Sequence, residues 1–233
     1  MKCLLEVCLF ALTTTSCIAA QSASCAYQPL QKGISVDLPV SSSAAPMPDA
    51  DQEDSLIVSV TDDGSVYFGV NPISPEALAE KIKRGLPSRT DNKLYIKADA
   101  RTLYASVLNV LDAVRTAGVE APTLLTSQRN SSEPGTLVAP RGVEVLVGPP
   151  FPPGPEATVV QVLNSGQRWP TLKINDEHTA RAVLQSTLKQ LQNRSKRVVL
   201  VKAEGTLRYG DVVDVVDMCS STGATVLLVT QKQ

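Results

Sequence analysis

Apolar and polar positions along this chain fall into an order of short runs and helical stripes that occurs twice. Leu56–Val60 (LIVSV) and residues 66–70 (VYFGV) flank Asp62-Asp63-Gly64, which predicts a β-hairpin. Ser74-Pro75-Glu76 opens a helix. It offers a capping hydroxyl, a proline suited to the first helical position and an acid suited to the dipole. Leu78, Ala79 and Ile82 give that helix one apolar face, and Gly85 ends it. Residues 93–98 predict a strand. Tyr104, Val107, Leu108, Leu111 and Val114 then share one face of a helix closed by Gly118, and residues 123–126 supply a last strand.

The order returns after a proline-rich stretch. Residues 158–162 and a weaker run, 168–174, flank Asn164-Ser165-Gly166, and Pro170 places the weaker run at a sheet edge. Asn175 or Asp176 is expected to cap a helix with Val183, Leu184, Leu188 and Leu191 inside. A strand at 198–202 follows. Tyr209, Val212, Val213, Val216 and Cys219 form the next helical stripe, Gly223 closes it, and residues 226–230 finish the chain. Tyr209, Asp217 and Gly223 each stand 105 positions after Tyr104, Asp112 and Gly118, and Glu204 stands 105 after Asp99. Shared helix physics places apolar stripes, but it does not place an acid, a tyrosine and a glycine in fixed register. The sequence therefore predicts an α+β fold of two tandem β-β-α-β-α-β units, each a mixed sheet with two helices on one face. Each unit is expected to close its own core, and its last β-α-β to be a right-handed crossover.

Composition divides the rest. Residues 1–25 carry Lys2, an apolar stretch over 4–12 and then small residues ending in Ile18-Ala19-Ala20. That layout predicts a signal peptide cleaved after Ala20. Thr15-Ser16-Cys17 leaves a lipid anchor open as a second reading, and a retained anchor is the third. All three put the remainder outside the cytoplasm, in the periplasm or on the membrane. Residues 26–54, rich in Ser, Pro, Ala and Asp, read as a flexible tether with one short Val-x-Leu-Pro strand. The first unit is expected over 55–128, a Pro/Gly-rich linker over 129–156 and the second unit over 157–233.

Candidate chemistry is sparse. The net charge of −1 and 4% aromatic content argue against nucleic acid as a partner. His178 is the one histidine, so no Ser-His-Asp or Cys-His relay can be built away from it. The five cysteines lack metal-ligand spacing; Cys25 and Cys219 could pair outside the cytoplasm, although Cys219 reads first as a small buried hydrophobe. Asp99 and Glu204 follow the strands at the carboxyl ends where α/β proteins often place ligands, and where an acid also caps the next helix. The capping reading is preferred, since no second carboxylate, base or metal ligand lies nearby in sequence. Tyr104 and Tyr209 read as core residues with a polar tip, and Asp112 and Asp217 as acids on a solvated helix face. The expectation is a protein without catalytic, cofactor or metal residues.

Ala98-Asp99-x4-Tyr104-x2-Val107-x3-Leu111-Asp112-x4-Ala117-Gly118, preceded by Val36-Asp37-Leu38-Pro39, resembles the periplasmic domain of the ExbD/TolR family of biopolymer transport proteins. Ala203-Glu204-x4-Tyr209, Asp217 and Gly223 repeat the phrase more loosely over about residues 143–231. The resemblance implies a non-enzymatic envelope component of an energised transport system. Its implied partners are ExbB/TolQ-like and TonB/TolA-like proteins, with peptidoglycan as a further one. It implies a domain that works as a pair, here an internal pseudo-dimer or a homodimer, whose Val-x-Leu-Pro strand takes part in regulation. The family also carries a membrane helix with one proton-handling aspartate. The only acid in this apolar stretch is Glu6, so proton conduction is not expected. The alternative is a periplasmic binding or scaffold module that has lost the motor link.

Overall fold

The structure, a computed structural model, describes residues 33–86, 93–128, 140–149, 157–192 and 198–230. The expectations for residues 1–25 lie outside the described residues, as does Cys25. In chain order the elements begin with two short strands, β1 (Val40–Ser41) and β2 (Ala45–Pro46), and a 3₁₀ turn at Pro48–Asp51. There follow β3 (Leu56–Val60), β4 (Val66–Phe68), β5 (Asn71–Pro72), α1 (Pro75–Gly85), β6 (Leu94–Ala98), α2 (Tyr104–Thr116) and β7 (Thr123–Gln128). Two strands, β8 (Arg141–Glu144) and β9 (Leu146–Gly148), lie in the stretch read as linker. Then come β10 (Thr158–Leu163), β11 (Thr171–Ile174), β12 (Glu177–Thr179), a 3₁₀ turn at Arg181–Val183, α3 (Leu184–Gln192), β13 (Val198–Ala203), α4 (Tyr209–Ser220) and β14 (Thr225–Val229).

The molecule is α+β, with two mixed sheets. One has the order β2-β8-β7-β6-β3-β4-β5, with β1 parallel to the far end of β7; the other runs β12-β11-β10-β13-β14-β9. β3, β6 and β7 are parallel neighbours, as are β10, β13 and β14, and antiparallel hairpins extend each sheet.

Several elements differ from the sequence reading for identifiable reasons. Asn175 and Asp176 do not cap a helix. Both take positive φ, 48° and 71°, and form the two-residue turn between β11 and β12. That left-handed geometry is the one a tight hairpin requires and Asn and Asp tolerate. The helix starts later, at Leu184, and Val183 is left 47% exposed. β11 is consequently an inner strand, with β12 outside it; Pro170 precedes its first residue and interrupts no ladder. In the N-terminal segment, residues 35–39 pair in no strand, and pairing begins at Val40. The α2 stripe is Tyr104, Val107, Val110, Leu111 and Val114, with Leu108 only partly buried.

The two segments do not keep separate interiors. Val58, Ile96, Leu124, Tyr104 and Leu111 belong to the same contiguous buried cluster as Val160, Val201, Leu228, Tyr209 and Val216. The cause is that elements of each segment lie on the other: α4 packs against β1 and α2 against β9, while α2 and α4 touch. A second, small cluster of Ala50, Ile57, Tyr95 and Leu125 covers the outer face of the first sheet, with Leu38 and Met47 packed on it.

The helix starts meet at the seam. Leu103 and Arg208, the residues before α2 and α4, form an antiparallel bridge. Tyr104 N–H donates to Leu207 O at 2.8 Å, and Tyr209 N–H to Thr102 O at 2.9 Å. Ala105 N–H donates to Gly205 O and Gly210 N–H to Ala100 O, both at 2.9 Å. In each pair, donors and acceptors are related by the same 105-residue offset. The crossing is close: a Cβ on Gly205 would stand 3.0 Å from Ala105 Cβ, and one on Gly210 3.1 Å from Ala100 O. Gly205→Val is therefore expected to destabilise the fold by about 1–3 kcal/mol, the usual cost of overpacking a close contact. Urea unfolding of the full chain measures it, and a midpoint equal to that of the unmodified protein would mean that the loops part freely.

Candidate functional site

The phrase that ends β6 places a buried carboxylate. Asp99 N–H continues the sheet by donating to Val60 O at 2.9 Å. The Asp99 side chain, 3% exposed, is gripped by Arg101: Nε donates to Oδ1 and a terminal nitrogen to Oδ2, both at 2.9 Å. Such two-point guanidinium pairing is the strong form of the carboxylate bond. Arg101 N–H also donates to Oδ1 at 2.9 Å, and Asp37 N–H donates to Oδ2 at 3.0 Å across 62 residues of sequence. The Arg101 fork holds the Asp99 carboxyl well below the ordinary carboxylate value, at about 2, against the opposing effect of burial. Arg101 is 58% exposed and reaches Asp37 at 3.2 Å and Asp62 at 3.8 Å. Ala100 N–H donates to Asp37 O at 2.8 Å. The Val36-Asp37-Leu38-Pro39 segment thus lies against the loop between β6 and α2. Leu38 packs toward Ile57, Tyr95 and Leu125, and Pro39 O accepts from Ser127 N–H at 2.9 Å.

The preferred capping role for Asp99 is corrected by these contacts. Neither Leu103 nor Arg208, at the helix starts, makes a side-chain cap; backbone carbonyls of the opposite loop serve instead. Glu204, at the matching place in sequence, is exposed and accepts from Asn164 N–H at 2.7 Å in the turn between β10 and β11. The lysines of the two phrases part company as well: Lys97 is 3% exposed, and Lys202 is on the surface.

The mid-helix acids also diverge. Asp112 pairs with Arg115 one turn on, at 2.6 Å. Asp217, only 8% exposed, faces the chain just after Pro39 rather than solvent. It accepts from the Ser41 and Ser43 hydroxyls and, at 3.0 Å, from the N–H groups of Ser42 and Ser43. Burial pushes its carboxyl up, but those hydrogen bonds outweigh it, and the group stands below its ordinary value. Gly118 and Gly223 close α2 and α4 with φ of 89° and 82°. Tyr104 and Tyr209 are fully buried and mutually close; burial first, and for Tyr209 the neighbouring Tyr104 phenol second, pushes both hydroxyls well up.

Sequence reasoning missed Arg101 and Ser41–Ser43. An arginine two residues after a buried acid was a readable signal for a local fork. The serines read as tether composition, and their partner lies 176 residues away. His178 stands exposed on β12, and among the described residues no His, Cys, Asp and Glu group could hold a metal ion. Cys219 is free and buried, its thiol pushed up by burial to about 12, which makes it a poor nucleophile.

Asp99 should make the fold sensitive to acid. Asp99 has a folded-state value below its ordinary 3.8, so the stability it contributes is present above that pH and is lost as pH falls toward 2. Between pH 4 and pH 2, Asp99→Asn should lose about 1 kcal/mol less than the unmodified chain, after allowing for solvent around Arg101. Denaturant titrations at the two pH values measure the difference, and identical losses in the two proteins would contradict it.

Comparison with known proteins bears on the same segment. The family described as Biopolymer transport protein ExbD/TolR matches residues 8–129, just over half of the chain. The Biopolymer transport protein ExbD of Pseudomonas aeruginosa is 24% identical over 99 residues, 42% of this chain and 72% of that protein. The matched stretch contains the Val36–Pro39 segment, Asp99, Arg101 and Tyr104. The chain belongs to the ExbD/TolR family of biopolymer transport proteins, which are transport-associated envelope proteins and not enzymes.

Proposed function

We propose that this chain is a non-enzymatic component of an ExbD/TolR-type energised transport system in the cell envelope. It acts through protein–protein contacts made by the segment around Val36–Pro39 and the loop Asp99–Arg101. The observation that carries this reading is that the family match spans both pieces, which lie together on one carboxylate. Arg101 supports it: more than half exposed, it sits among Asp37, Asp62 and Asp99 at the surface. The partners are proteins of the ExbB/TolQ and TonB/TolA kind. Among the described residues no helix is long and apolar enough to cross a membrane, and the apolar stretch at 4–12 lies outside them.

The same reading takes residues 55–128 and 157–233 as two copies of one unit joined by 129–156, forming an internal pseudo-dimer. The reciprocal hydrogen bonds across the seam support it, because a two-fold interface pairs residue i with j and j with i. The second copy lies outside the family match, and its kinship rests on the recurring register of Glu204, Tyr209, Asp217 and Gly223.

Pull-down from solubilised membranes tests the role. Recovery of an ExbB- or TonB-like protein is expected, reduced at least several-fold by Arg101→Glu; recovery of peptidoglycan alone would favour a scaffold. Light scattering across a hundredfold dilution tests the pairing. The mass should stay that of a single chain, and an obligate dimer held together through α2 and α4 would overturn it.

A further inference from the structure

We propose that Asp217 is a latch by which the second segment restrains residues 37–44 and withholds them from partners. The inference rests on the reading of this strap as partner-facing. Its first support is that Asp217 stands where a helix disfavours it. It lies in the last turn of α4, where an acid opposes the helix dipole and no basic residue follows, and it is buried. Such a local violation persists where something else holds it. Here the strap does: two hydroxyls and two consecutive backbone N–H groups converge on one carboxylate. The counterpart Asp112, neutralised by Arg115, has no such partners, so the arrangement is particular to the second segment.

The second support is the state of the strap's backbone. Asp37 N–H is bound by Asp99, Ser42 and Ser43 N–H by Asp217, and Ala44 N–H by the Ser41 hydroxyl at 3.1 Å. Val40 and Ser41 are paired in parallel with Ser127 and Gln128. A partner that reads an extended segment by its main chain finds these donors occupied. The strap is therefore tied at one end by a carboxylate of the first segment and at the other by a carboxylate of the second. Releasing the second tie strips residues 42–44 of these acceptors and leaves them between the pairings of β1 with β7 and of β2 with β8.

Hydrogen exchange of the full chain, resolved by segment, tests the latch in Asp217→Ala and in the double variant Ser41→Ala/Ser43→Ala, which leaves α4 unaltered. Amides of residues 42–44 should exchange at least tenfold faster in both variants, with β6 and β13 within about threefold of the unmodified protein. Unchanged strap exchange overturns the latch, as does a loss of protection shared by every element, which would make Asp217 a general packing residue. The membrane pull-down reads the second clause. Partner recovery should at least double in both variants, and faster strap exchange with unchanged or lower recovery overturns withholding. If the unmodified chain and both variants recover no partner, the partner-facing reading fails and withholding with it, while the exchange data still decide whether Asp217 restrains the strap.

Discussion

The two long helices begin where neither can satisfy its own backbone. The first N–H groups of a helix have no intrahelical acceptor, and a buried start needs acceptors from elsewhere. In α2 and α4 those acceptors are carbonyls of the opposite loop: Leu207 and Gly205 serve Tyr104 and Ala105, and Thr102 and Ala100 serve Tyr209 and Gly210. No side chain at Leu103 or Arg208 offers an alternative. Separating the segments would strand four donors at once, each a cost of about 1–3 kcal/mol if left buried. The shared core follows from this constraint. Once the helix starts are tied together, the faces of α2 and α4 are brought onto one another and onto β9 and β1.

Local chemistry was readable where it acts over a few residues. Ser74 caps α1 by accepting from Ala77 N–H, Gly64 turns the first hairpin with φ of 85°, and both tyrosine-led helices lie where their stripes put them. The hairpin of β11 and β12 is not legible because Asn-Asp serves equally as a cap and as a left-handed turn, and only the pairing of the two strands decides between them. The expectation of self-contained cores failed for a related reason. Hydrophobic periodicity shows that a helix face is buried but not what it is buried against. At the site, the acids were found from recurrence, while their partners were not: Asp99 with Asp37 and Asp217 with the serines join residues far apart in sequence.

Likeness of sequence between the two segments conceals unlike surroundings. Asp99 is clamped and buried where Glu204 lies exposed on the turn between β10 and β11, Lys97 is covered where Lys202 is open, and Asp217 grips a strap where Asp112 makes a local pair. A homodimer of one unit would be obliged to present every motif twice in the same state. A single chain whose two segments share a motif register carries no such obligation. Here the first segment clamps Asp99 beside the strap, the second supplies the carboxylate of Asp217, and each provides helix-start acceptors to the other.

The strap also imposes a timetable. Ser41 leaves the ribosome 176 residues ahead of the aspartate that finally receives it. At about 5–20 residues per second, that interval is on the order of 10–35 s. Throughout it the serine-bearing stretch can lie beside β7 and then β8, but the carboxylate that receives its hydroxyls has yet to be made. The tie from Ser41 to Asp217 is thus among the last contacts the chain can complete.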